Sequence, residues 1–127
     1  MSRPKDKPRD NTRHAKPGLR AKVFVREDMI GGGKVELLRL LAEHGSITAA
    51  AKAMGVGYRR AWFLLDTLQR CFEAPLFTTE RGGANAGGTQ VTELGRDLIA
   101  RHAAHEEALN IASADYLAWL ETQQRQG

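Results

Sequence analysis

Two adjacent arginines, Arg59 and Arg60, are the side chains of this chain best suited to chemistry, and that chemistry is binding. A guanidinium carries its donors in a fixed fork, which matches both acceptors on the major-groove edge of guanine or two oxygens of a phosphate. From Ser46 to Leu65 the only charged residues are Lys52, Arg59 and Arg60, so the stretch offers cations with no acid beside them. A polyanion is the natural partner of such a surface. Catalytic groups are not arranged in any comparable way. There is no Ser/His/Asp set, no paired carboxylates and no metal cluster, so the chain is not read as an enzyme and no cofactor is expected. His102 and His105, in HAAHE, stand three residues apart on one helix face. They match neither HExxH nor HxxEH and lack an obvious third ligand, so they are read as ordinary histidines on a half-exposed helix. The glycine-rich run RGGANAGG lacks the GKS/T and the strand–loop–helix order of a nucleotide cradle.

The arginines must be held by something. GSITAAAKAMGVGYRRAWFLLDTL, from Gly45 to Leu68, reads as a short helix, a tight glycine turn and a longer helix. Ala51 falls where two helices cross closely, and Gly55 falls where the chain turns and φ > 0 is needed. Ile47, Ala50, Met54, Val56, Ala61, Leu64 and Leu68 take the inward positions. The first helix of the pair spans Ile47 to Met54, capped by Ser46, and the second runs from Tyr58 to about Phe72. With Ala61, Leu64, Leu65 and Leu68 inward, 100° per residue puts Arg59, Phe63, Asp66 and Arg70 outward. Tyr58 and Trp62 lie on one flank and Arg60 on the other. Arg59 is thus placed for base edges, Arg60 for phosphate, and Tyr58 for either. Trp62 is open to packing or to a DNA contact. Phe63 is open to a thymine methyl, the wing or a partner chain.

The flanking segments complete an architecture. Residues 1–17 hold three prolines and eight charged residues with almost nothing apolar, a disordered basic tail able to add salt-sensitive phosphate contacts. Leu19 to Val25 alternates and is rich in β-formers, which predicts a strand pairing with short strands later in the chain. Glu27 to Gly33 reads as a turn, and Lys34 to His44 as a helix facing inward through Leu37, Leu38 and Leu41. Leu76 to Glu80 and Thr89 to Thr92 read as the two strands of a wing around a glycine-rich loop carrying Arg81. A final helix, capped by Thr92 and opened by Glu93, continues to about Gln124. On it Leu98, His102, His105, Leu109, Ala112, Tyr116 and Trp119 repeat at spacings of four and three, a seam for another helix of the domain or of a second subunit. The expected fold is mainly α: a winged helix-turn-helix with a short N-terminal strand, a two-stranded wing and a long C-terminal helix. Its domains are a tail (1–17), a DNA-binding domain (18–91) and a C-terminal dimerisation helix (92–127).

Charge is uneven along this plan. Residues 1–26 carry nine Lys or Arg against two Asp, residues 27–101 carry nine of each sign, and residues 102–127 carry one Arg against four acids. The single cysteine, Cys71, excludes an internal disulfide and reads as a small buried hydrophobe. No signal peptide and no membrane-spanning apolar run is evident, so a soluble cytoplasmic protein is expected.

The combination GSITAAAKAMGVGYRRAW, LLDTLQRCF, PLF, a GG…GG loop and TQVTELGRDLIA resembles the molybdate-responsive regulator family (ModE). Over about Leu19 to Arg101 it looks like that family's N-terminal winged-helix domain, itself similar to the DNA-binding domain of LysR-type regulators. The resemblance implies a dimeric bacterial transcription factor on a palindromic double-stranded operator, with Tyr58, Arg59, Arg60 and Arg81 meeting DNA. Together with the reading of the residues, the DNA-binding set is Ser46, Lys52, Gly57, Tyr58, Arg59, Arg60, Trp62 and Arg81. The dimerisation set is Leu98, Leu109, Ala112, Tyr116 and Trp119. Gly57 departs from the family, which usually has a helix-capping serine there. The chain also lacks the family's SARN-type oxyanion motif and the oxyanion-binding domains that follow in full-length members, so these residues are not expected to sense molybdate themselves. The alternative use of such a fold is a protein–protein interaction module without specific DNA binding, which exposed Trp62 and Phe63 would suit.

Overall fold

The computed structural model describes residues 18–25, 28–79 and 88–125. Residues 1–17, read above as a disordered tail, and the wing loop with Arg81 lie outside the described residues. The elements run β1 (Lys22–Val25), β2 (Asp28–Gly31), α1 (Gly32–His44), α2 (Ile47–Met54), α3 (Tyr58–Gln69), β3 (Phe77–Thr79), β4 (Thr89–Val91) and α4 (Glu93–Thr122). This is the mainly helical, winged helix-turn-helix architecture expected from the sequence. The described residues fall into two compact units, one within residues 21–105 and one containing residues 106–125.

The core of the first unit is a leucine cluster from two helices and the start of the wing. Leu37, Leu38 and Leu41 of α1, Leu65 and Leu68 of α3, and Leu76 are fully buried. Burying a leucine of this kind contributes roughly 1.5–3 kcal/mol. Ile47, Ala50 and Ala51 of α2 and Ala61 of α3 are also buried, so small alanine side chains make up much of the packed face of α2. The turns are set by glycine. Gly45 ends α1 at φ 81° and donates its N–H to the Leu41 carbonyl. Gly55 ends α2 at φ 85° and donates to the Ala51 and Lys52 carbonyls. Both conformations are left-handed, which a side chain disfavours and glycine does not. Between them Ser46 caps α2 by accepting the Ala49 N–H at 3.1 Å. On the exposed side of α1, Arg39 bonds Glu36 and Glu43 at 2.6 and 3.1 Å. Its guanidinium holds the Glu36 carboxyl below the usual carboxylate range. Exposed pairs of this type add little stability.

Three expectations are corrected. The N-terminal strand is shorter, Lys22–Val25, and the short later strand it pairs with lies in the segment that follows at once: Val23 pairs with Ile30 and Phe24 with Met29, antiparallel. The segment read as a turn therefore contains β2. Its apolar pair, Met29 and Ile30, is too short to show a period of two, yet Ile30 packs on the core and anchors the hairpin. The helix read from Lys34 begins two residues earlier, at Gly32; the first turn of a helix has few intrahelical bonds to lose, so glycine is tolerated there. Finally, α3 stops at Gln69 rather than near Phe72. Beyond it the chain tightens into turns, and the Gln69 side chain holds the segment that follows: its Nε2 donates to the Ala74 carbonyl at 2.9 Å, and its Oε1 accepts the Leu76 N–H at 2.7 Å.

The wing strands pair antiparallel, Phe77 with Val91 and Thr79 with Thr89. Their root is fastened on several sides. The Thr89 N–H donates to the Gly45 carbonyl at 3.0 Å, and the Thr92 N–H to the Leu76 carbonyl at 2.9 Å. The Thr92 hydroxyl donates to the Pro75 carbonyl at 2.8 Å and accepts the Gly95 N–H at 3.1 Å, so it caps α4 and pins the loop at once. Gly95 is buried in α4 against the wing root, where a Cβ would collide with the Leu76 carbonyl oxygen and lie 2.5 Å from Val91 Cγ1. Leu94, Leu98 and Ile99 of α4 pack on the same core. In the second unit, the later part of α4 leaves Ile111, Tyr116 and Trp119 exposed, and the Tyr116 and Trp119 rings stack at 6.5 Å. Among the described residues no helix is long and apolar enough to cross a membrane.

Candidate nucleic-acid interface

The site is the start of α3 and what surrounds it. Ala61, Leu65, Thr67 and Leu68 are buried. This leaves Arg59, Phe63, Asp66 and Arg70 exposed along the opposite side, as the helical period requires. Asp66 and Arg70 face each other at 3.5 Å one turn apart. Arg59, Arg60 and Lys52 are exposed, and among the described residues none of the three is in an ion pair. Three cations without a neutralising acid therefore lie on α2 and the first turn of α3, where a phosphate or base edge meets no competing carboxylate.

Backbone geometry adds to this. Gly57 is the N-cap of α3 at φ −74° and ψ 163°, with no side-chain cap bond. The opening amides of α3 therefore have no side chain seated on them, and helix-start amides favour anions. A Cβ at Gly57 would meet nothing within 4 Å, so the glycine is not required by space or by φ. Ser46 is half-buried and committed through its oxygen to the cap of α2.

The aromatic residues sort themselves. Trp62 is half-buried, with Tyr58 edge-on at 6.4 Å and Phe77 of β3 tilted at 6.3 Å. It packs α3 against the first wing strand, β3. Tyr58 is 50% exposed at the head of the helix. Phe63 is 53% exposed, and the Arg60 guanidinium lies 5.7 Å above its ring, a cation–π arrangement. Phe77 as the partner of Trp62 was not legible in the sequence. Phe77 lies far along the chain, and no spacing rule links it to Trp62. Arg60 and Phe63 do stand at the i, i+3 spacing that brings side chains together, a signal available but unused.

The remaining predicted residues lie elsewhere. Arg81 is outside the described residues. Leu98 packs on the core of the first unit. Leu109 is half-buried, while Ala112, Tyr116 and Trp119 are exposed in the second unit. Cys71, expected to be buried, is half-buried, its Sγ 3.6 Å from the Thr67 carbonyl oxygen. A groove of about 390 Å³ between α1 and α4 is lined by Arg39, Ala42, Glu43, Arg96, Ile99 and Ala100 and includes none of the predicted site residues.

A helix pair with exposed arginines at the start of its second helix, followed by a fastened two-stranded wing, is the form of a DNA-binding helix-turn-helix domain. Residues 33–96 match the family described as bacterial regulatory helix-turn-helix protein, lysR family. The chain belongs to that family, a family of DNA-binding regulators rather than catalysts. It is 41% identical over 83 residues to the molybdenum-pterin-binding protein MopA of Rhodobacter capsulatus, covering 65% of this chain and 31% of that one. It is 37% identical over 73 residues to the molybdenum transport protein ModE of Azotobacter vinelandii, covering 58% and 27%. It is also 33% identical over 66 residues to the DNA-binding transcriptional dual regulator ModE of Escherichia coli K12, covering 52% and 25%. The chain thus spans between a quarter and a third of these relatives' lengths. Among solved structures, a LysR family transcriptional regulator superposes with a TM-score of 0.56 at 20% identity, covering 71% of this chain and 31% of that one, a likeness of fold.

Proposed function

We propose that the chain is a sequence-specific, double-stranded DNA-binding transcriptional regulator that acts as a homodimer on a palindromic operator. Helix α3 enters the major groove with Arg59 on base edges, Arg60 and Lys52 take phosphates, and the β3–β4 wing lies on the flanking backbone. The observation that carries this reading is the pair of exposed arginines at the start of α3, without an ion-pair partner among the described residues. The exposed Tyr116 and Trp119 on α4 support pairing through the Leu109, Ala112, Tyr116 and Trp119 seam. The names of the relatives support a link to molybdenum metabolism. Genomic footprinting of the protein, with and without molybdate, tests the whole reading. Discrete protected sites near molybdenum genes are expected, and absence of any protected site overturns it. The exposed Phe63 favours a second reading, a winged helix that binds another protein; no shift of any duplex at low salt, with a stable protein partner, would select it.

A further inference from the structure

Trp62 and Phe63 are adjacent aromatics with opposite fates. Trp62 is taken up between Tyr58 and Phe77, so the wing strand is accounted for. Phe63 stays outward on the line of Arg59, with Arg60 over its ring and more than half of its surface in solvent. We infer that Phe63 is a specificity residue that recognises the 5-methyl group of a thymine in the major groove. The inference rests on the reading that α3 enters that groove.

The chemistry restricts the choice of base. A phenyl ring has no donor or acceptor, so pressing it against the polar edge of guanine, adenine or cytosine strips water from groups it cannot satisfy. The thymine methyl is the apolar feature the major groove presents. Arg60 strengthens the arrangement by keeping a cation beside the ring, where the phosphates flanking the groove neutralise it. Position also fits. Phe63 lies four residues after Arg59, an advance of roughly 6 Å along the helix. Base pairs are spaced about 3.4 Å apart. The thymine is therefore expected within about two base pairs of the base that Arg59 contacts.

The test begins with duplexes selected by the wild-type protein from a randomised library. Each thymine of the selected site is replaced in turn by deoxyuridine, which removes only the 5-methyl group. Wild-type protein is expected to lose about fourfold in affinity at one thymine per half-site, the worth of burying one methyl-sized group. Phe63→Ala should bind the thymine and uracil duplexes equally at that position, while Phe63→Leu, still apolar, should keep part of the preference. Binding by Arg59→Ala to base-substituted duplexes locates the neighbouring base pair. A methyl effect that persists unchanged in Phe63→Ala, or no thymine sensitivity in the wild type, overturns the inference while leaving DNA reading intact. Identical binding of Phe63→Ala and wild type to every duplex also overturns it, and points to a protein surface for the ring. Failure to select any sequence overturns the DNA reading as well as this inference. Because Phe63 is exposed, the substitutions leave the core untouched.

Discussion

Arg59 and Arg60 are neighbours in the chain and differ in surroundings. Arg59 stands on the outward line of α3, whereas Arg60 is drawn over the Phe63 ring. Arg59→Ala is therefore expected to cost specific binding on the order of 1–3 kcal/mol and to relax preference at one base position. Arg60→Ala should weaken all duplexes alike and lower the salt slope by about one. Titration of selected and scrambled duplexes across a salt series separates the two outcomes; equal loss on both duplexes for Arg59→Ala would make it a phosphate contact. A gain is expected at Gly57. Its φ and ψ suit any residue and a Cβ there meets nothing within 4 Å. Gly57→Ser should supply the missing cap, raise stability by a few tenths of a kcal/mol in thermal unfolding, and tighten DNA binding through its hydroxyl.

At the scale of elements, α3 and the wing strands are tied together at the junction of Gln69, Leu76, Thr92 and Gly95. Gln69 bonds both ends of the loop, and the Leu76 residue whose N–H it accepts is fully buried. Gln69→Leu leaves that N–H without its acceptor and is expected to cost about 1–3 kcal/mol in urea unfolding. Gln69→Glu, which keeps the acceptor and loses the donor, should cost less; equal costs would show that the acceptor does not matter. Gly95→Ala forces a methyl into the Leu76 carbonyl and Val91 and should cost about 2–3 kcal/mol by the same measurement. A sequence reading finds the helices on either side of this junction, because capping and a 3.6-residue period are local signals. The junction itself joins residues up to nineteen apart, Gly95 to Leu76, and has no period. The position of Gly95 inside a predicted helix was the one available sign of close packing.

For the whole molecule, the exposed aromatic pair on α4 bears on assembly. Tyr116 and Trp119 stack on each other and remain open to solvent. The proposed dimer predicts a two-subunit species in sedimentation at micromolar concentration, converted towards monomer by Trp119→Asp; a wild-type monomer under those conditions rules it out. What the amino-acid sequence determined by itself is the helix-turn-helix. Gly45 and Gly55 must sit where φ is positive, Ser46 must cap, small alanines must line the crossing, and the leucines must fall on one face. Each of those constraints acts within a turn or two of the residue that carries it. Tertiary structure alone decided the pairing of β1 with β2, the end of α3 at Gln69 and the burial of Trp62 against Phe77. Those outcomes depend on which distant surfaces meet, and packing of the shared leucine core sets that.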